Sequence, residues 1–188
     1  MRVLGIDPAA AGKTGYGVIE TDGRRFRTLH FGALAATRKS AGDGFPARLE
    51  QIHRQIVKLV EEFHPDAVAI EGIFAALNVK TALKLAEVRG VVQLAAAHSN
   101  IPVHSYSPRE IKASIAGYGH AGKLQMQQMV RALLNLREIP QPADAADALA
   151  VALCHIQSTE ARARFDVATA PLPGRTNSHR PARIQPLR

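Results

Sequence analysis

The 188-residue chain has no tryptophan, one cysteine and aromatic residues at only 5%. A single cysteine, Cys154, excludes a disulfide framework and any cysteine-based zinc site. It reads instead as a small buried apolar residue. Acids are scarce: 16 Asp and Glu stand against 24 Lys and Arg, for a net charge of +8 and a pI near 10.1. That balance excludes an acidic, tail-like protein and points to a polyanionic partner. Long hydrophobic runs are also missing. The apolar start Val3–Ile6 stops at Asp7, too short for a signal-peptide core. The longest uncharged run, 90–108, is broken by Gln93, His98, Asn100, Pro102 and His104, which excludes a membrane span. A soluble cytoplasmic protein is expected. With 46% apolar and 21% charged residues, the chain has the means to bury one ordinary core.

Charge and proline are concentrated at the C-terminal end. Residues 157–188 carry six arginines against Glu160 and Asp166, together with Pro171, Pro173, Pro181 and Pro186. The expectation is a folded domain over 1–158 and a basic, proline-rich, disordered tail over 159–188.

Within the domain, periodicity changes along the chain. Arg2–Asp7, Gly15–Thr21 and Arg24–Leu34 read as three strands, with Asp22-Gly23 as a hairpin signal, so they form an antiparallel meander. Phe45, Leu49, Ile52, Ile56, Leu59, Val60 and Phe63 then recur at spacings of three and four, an amphipathic helix stopped at Pro65-Asp66. Ala67–Glu71 is a short buried strand, Ala76–His98 a long helix, and Pro102–Tyr106 another strand. Ser107-Pro108-Arg109-Glu110 has the form of a capped helix start. Helices follow over Gly122–Leu136 and Pro142–His155. A meander followed by helix–strand alternation gives an α/β domain with a mixed five-stranded sheet, antiparallel and parallel strands together, flanked by helices.

Four carboxylates resist the ordinary explanation of a solvated face. Asp7 and Glu71 each terminate a buried strand, where open α/β sheets place their ligands. Asp144 and Asp147 lie at i, i+3 on one face of an Ala- and Leu-rich helix, where bare charge needs compensation. Four converging acids are tolerable around divalent metal, and two such ions suit in-line phosphodiester displacement. Carboxylate metal sites in a basic protein imply a phosphate-rich substrate. Gly12-Lys13-Thr14 imitates the end of a P-loop, but residue 7 is Asp where the motif needs glycine, and a strand follows where it needs a helix. None of the eight histidines falls in a zinc-like spacing, so all are read as structural or surface residues, His120 included.

An ordered set of motifs carries a resemblance that covers Met1 to about His155. The set is Leu4-Gly5-Ile6-Asp7-Pro8, Thr14–Ile19, Ala69-Ile70-Glu71, Phe74, Asn78, Ala82–Leu85, Arg89-Gly90-Val91, Lys112, Lys123, the 127–134 helix and Ala143–Ala150. It resembles the RuvC-type Holliday-junction resolvases, crossover junction endodeoxyribonucleases with an RNase H-like fold. The resemblance implies that Asp7, Glu71, Asp144 and Asp147 are catalytic, metal-binding acids. The metal it implies is Mg²⁺, two ions per site, with Mn²⁺ able to substitute. It further implies DNA contacts from Lys112, Lys123, Asn78 and Arg89, and stacking of Phe74 on a base. A homodimer cutting two opposed strands of a four-way junction in recombination and repair is implied too, with branch-migration motor proteins (RuvA and RuvB type) as partners. The chain departs from the family pattern at Ala9, usually Gly, in a loop Ala9–Lys13 one residue longer than usual, and at Leu77, often basic. Competing readings are an RNase H-like nuclease on RNA–DNA hybrid or RNA, a non-catalytic junction-binding protein, and a kinase-like ATPase. The last is disfavoured because the chain lacks a second copy of the fold.

Overall fold

Five strands pair in the order β3-β2-β1-β4-β5. The computed structural model describes residues 1–34, 44–73 and 78–169, the side chains of 166–169 excepted. The elements in chain order are β1 (Arg2–Asp7), β2 (Thr14–Thr21), β3 (Phe26–Leu34), α1 (Phe45–Phe63), β4 (Ala67–Glu71), α2 (Val79–His98), β5 (Val103–Tyr106), α3 (Pro108–Ala116), α4 (Lys123–Leu133) and α5 (Ala143–Thr169). β1, β2 and β3 form the expected antiparallel meander, while β4 runs parallel to β1 and β5 parallel to β4. The carboxyl ends of β1, β4 and β5 therefore share one edge of the sheet.

Residue alternation divides the core in two. Leu4 and Ile6 of β1, Val18 of β2, and Val68 and Ile70 of β4 pack against Ile52, Ile56, Val88 and Val92 of α1 and α2. Val3, Ile19 and Ala69 face the other way, onto Leu149, Leu153 and Ile156 of α5, with α3 and α4 beyond. Each fully buried Leu or Ile contributes about 1.5–3 kcal/mol, so α5 is a principal source of stability.

α5 lies unusually close to the sheet, and three glycines permit it. A Cβ at Gly5 would stand 2.2 Å from the Ala148 carbonyl oxygen, one at Gly15 1.9 Å from that of Asp144, and one at Gly17 2.6 Å from Leu149 Cδ2. Gly5 and Gly17 are paired across β1 and β2, and Gly15 is paired with Asp7. A side chain at any of the three would lift the helix off the strands.

Several boundaries differ from expectation. α5 continues through Thr169, past both His155 and the boundary at 158, so 159–169 are helical rather than tail. Packing of α5 against the sheet ends at Ile156, its last buried residue, while the helix itself runs on. Residues 170–188 lie outside the described residues. α2 begins at Val79 rather than Ala76 because the Asn78 carboxamide oxygen caps it, accepting from Thr81 N–H at 2.9 Å. The capping box at Ser107 and Glu110 forms as read. Cys154 is buried, and His155 is buried with its Nδ1 2.8 Å from the Tyr106 hydroxyl. Among the described residues no helix is long and apolar enough to cross a membrane.

Candidate active site

Period-two alternation decides where the strand-end acids point. Asp7 follows Val3 and Gly5 onto the face that carries α5, and Glu71 follows Ala69 onto that same face. α5 begins one residue before Asp144, and the contact of its first turn with Gly15 sets Asp144 and Asp147 beside Asp7. All four acids therefore lie around the carboxyl edge of β1 and β4, near enough for Asp7 to experience the charges of Glu71, Asp147 and Asp144 together.

The electrostatics record the crowding. Burial pushes the Asp7 carboxyl far above the ordinary carboxylate range, and the three neighbouring acids push it further; its protonated form donates a hydrogen bond to Glu71. Burial also raises Asp147, while Lys123 opposes that rise and Asp144 adds to it; Lys112 opposes it more weakly. Lys123 Nζ sits 3.4 Å from Asp147 Oδ2. The arrangement is pairwise: Asp7 leans on Glu71, and Asp147 on Lys123. Among the described residues no three His, Cys, Asp or Glu side chains close around a single point.

The donor set nonetheless fits a hard divalent cation. It is all carboxylate oxygen, and its buried member Asp7 is held up by uncompensated negative charge that such a cation would relieve. To bind it, Glu71 and Asp147 would exchange their present partners for the ion.

Beside the acids is a cavity of about 290 Å³. Glu71, Asp147, Lys112 and Lys123 supply its charged wall, and Pro108, Ile111, Met126 and Val151 its apolar wall. Both lysines expected from the sequence thus stand within reach of the acids, one on α3 and one at the start of α4.

Two other expected DNA contacts are placed differently. The Arg89 guanidinium donates to the Glu71 carbonyl oxygen and, at 3.0 Å, to Ser105 Oγ. It ties α2 to the ends of β4 and β5, behind the acid it supports. The Asn78 side chain is engaged in capping α2. Phe74 and Leu77 lie outside the described residues.

The sequence reading missed the glycines beneath α5 and one arginine. Gly15-x-Gly17 inside a strand was the available signal, because glycine weakens a strand unless another backbone must come close. Arg48 of α1 donates to the Ala9 carbonyl oxygen at 2.6 Å and to that of Ala10 at 3.3 Å, in the loop that follows Asp7. No pattern in the sequence couples a residue of α1 to that loop.

Comparison with known proteins decides the family. Residues 3–155 match the family model described as crossover junction endodeoxyribonuclease RuvC. The chain belongs to the RuvC family. Curated RuvC of Alkaliphilus oremlandii is 47% identical over 155 residues, covering 82% of this chain and 92% of that protein. RuvC of Chloroflexus aggregans is 46% identical over 167 residues, covering 89% and 99%. Among solved structures, Thermus thermophilus RuvC in complex with Holliday junction substrate superposes with a TM-score of 0.79 at 35% identity, covering 86% of this chain and 96% of that one. The mixed sheet flanked by helices is that of these RuvC structures, an RNase H-like fold.

Proposed function

We propose that this protein resolves Holliday junctions as a metal-dependent endonuclease of the RuvC family, nicking two opposed strands symmetrically in recombination and repair. One observation carries the reading: Asp7, Glu71, Asp144 and Asp147 converge on the edge of β1 and β4, with Lys112 and Lys123 bordering the same cavity. The acids are the oxygen ligands for divalent metal, two Mg²⁺ ions with Mn²⁺ able to substitute. The chemistry such ions supply is charge stabilisation on the phosphate and a water nucleophile at neutral pH. The chain's own residues do the rest. Lys112 and Lys123 neutralise the incoming phosphodiester, and Lys123, now paired with Asp147, would be free for the phosphate if Asp147 held a cation. Arg89 holds the Glu71 backbone so that the carboxylate meets the substrate in a fixed position. Phe74, three residues beyond Glu71, stacks on a base at the junction.

The working form is a homodimer, and the outward face of α2 supports that. Val79, Leu83 and Leu94 are 74%, 60% and 50% exposed, and spacings of four and eleven place them on one side of the helix. An apolar stripe of this kind suits a self-complementary contact. Junction DNA, branch-migration motors of the RuvA and RuvB type and a cytoplasmic location complete the proposal. We read the chain as a nuclease domain that begins at residue 1 and includes α5, followed by a sequence rich in Arg and Pro up to residue 188.

The test is cleavage of a labelled four-way junction, a plain duplex and an RNA–DNA hybrid, each with Mg²⁺ and with EDTA, by the native protein and by Asp7→Asn. Paired nicks in the junction alone, lost with EDTA and in the variant, are expected. Junction binding by the folded variant should persist, because Lys112, Lys123 and the rest of the basic surface still meet the phosphates. Cutting of the hybrid instead would keep the metal chemistry and discard the substrate, and binding without cutting would leave a junction-binding protein.

A further inference from the structure

Arg48 lies in the first turn of α1, on the sheet face opposite the acids. Its guanidinium is half-buried, and its Nε is buried with no hydrogen-bond partner. A charge withdrawn from water in this way needs compensation. What it meets is the Phe45 ring, 5.9 Å from ring centroid to guanidinium carbon, and two successive backbone carbonyls, Ala9 at 2.6 Å and Ala10 at 3.3 Å. Those carbonyls belong to the six-residue connection 8–13 between Asp7 and Thr14. The connection is closed at its base by the Ala9 N–H, which donates to Thr14 Oγ1 at 3.3 Å, and Thr14 is buried.

Gripping two carbonyls in one direction has a consequence for the amides. In a trans peptide the C=O and the following N–H point in opposite directions. With the carbonyls of Ala9 and Ala10 turned to Arg48, the N–H groups of Ala10 and Ala11 turn away from it, in the loop that directly follows Asp7. Neither N–H has a hydrogen-bond partner among the described residues. Two adjacent, unpartnered donors next to a phosphodiester-cutting centre match the oxygens of a backbone phosphate.

We propose that Arg48 is a positioning residue of the nuclease: it holds loop 8–13 so that the Ala10 and Ala11 amides receive a phosphate of the strand being cut. This rests on the endonuclease reading above. Arg48 touches neither acid nor DNA; it acts through the loop. It also accounts for how a loop with Ala9, and one residue longer than usual for its family, keeps a defined course beside Asp7. Lysine is a poor replacement, since a compact ammonium lacks the planar fork that reaches both carbonyls.

The experiment compares native protein, Arg48→Ala and Arg48→Lys on a four-way junction. It measures the single-turnover rate at saturating enzyme with Mg²⁺, junction affinity with Ca²⁺, and thermal melting. A displaced loop misplaces the phosphate, so the saturating rate of Arg48→Ala should fall about 10- to 100-fold. Junction affinity should change less than about threefold, because many other phosphate contacts remain. Millimolar guanidinium should restore part of the Arg48→Ala rate, and Arg48→Lys should lie between alanine and native. A merely structural arginine would lower melting and binding alongside rate and would not be rescued at saturation. Arg48→Ala cutting at the native rate overturns the inference, as does a rate loss matched by an equal loss of binding. Should the alanine variant not fold, Arg48→Lys decides: a folded lysine variant at the native rate overturns it, and a slower one with native binding supports it. If native protein cuts no four-way junction, the endonuclease reading fails and takes this one with it. Native cutting with unaffected variants overturns the Arg48 inference alone.

Discussion

One methyl group at Gly15 is expected to disable the site from beneath. The added Cβ of Gly15→Ala would stand 1.9 Å from the Asp144 carbonyl oxygen and 3.2 Å from the Asp144 Cβ. The obstacle is backbone, so no flexible side chain can swing aside. The start of α5 must retreat by about 1.5 Å to restore an ordinary contact, and it carries Asp144 and Asp147 away from Asp7. Overpacking of this kind costs about 1–3 kcal/mol, roughly 2–12 °C in Tm for a chain of this size. The loss in cleavage should be larger in proportion, since a misplacement of about 1 Å can cost about 100-fold. Single-turnover cleavage of a saturating four-way junction and thermal melting measure the two effects separately. Junction binding with Ca²⁺ should fall less than cleavage, because Lys112 and Lys123 sit on α3 and α4. A Gly15→Ala protein that cuts and melts like the native one would refute the claim that glycine contact with α5 sets the spacing of the acids.

Other expectations follow from the same geometry. Arg89→Ala should slow cleavage at saturation while leaving the salt dependence of junction binding unchanged, because its guanidinium holds Glu71 rather than phosphate; a lower slope would return it to the DNA-contact set. Lys112→Ala and Lys123→Ala should each reduce the slope of log affinity against log salt by about one, measured by titration across salt concentrations. Burial, aided by His104 and Arg162, lowers His155 to about 4 from its usual 6.5. The unfolded chain therefore takes up that proton first as pH falls. The contribution of neutral His155 is complete above pH 6.5 and is lost as pH drops toward 4, up to about 3 kcal/mol in all. Denaturant melts at pH 7, 5.5 and 4 on native protein and His155→Gln should show a shallower decline in the variant; parallel declines would assign the acid sensitivity elsewhere.

Much of this protein was legible in its sequence because local rules and tertiary packing agree. The apolar run within Arg2–Asp7, the three-and-four spacing from Phe45 to Phe63 and the capping residues at Ser107 and Glu110 are short-range signals, and the folded chain obeys each. The four acids could be singled out because charge at the end of a buried strand, or on an Ala-rich helix face, conflicts with its surroundings unless it has a task. What the linear chain could not reveal is which groups meet across the fold. Arg89 looks like a solvent-facing cation on a helix, and only the crossing of α2 over β4 and β5 directs it to the Glu71 carbonyl. Asn78 falls inside the helix read over Ala76–His98, and local geometry makes it the cap of a helix that starts at Val79. The distance between Asp7 and the pair on α5 depends on backbone approach at Gly5, Gly15 and Gly17, where the absence of side chains matters only once the helix lies over them. The composition and periodicity of the chain determined its elements, its charge and its candidate acids, since these depend on neighbours in sequence. The sharing of a buried charge, the turn of an arginine and the height of a helix over a sheet depend on neighbours in space, and only the tertiary structure decided them.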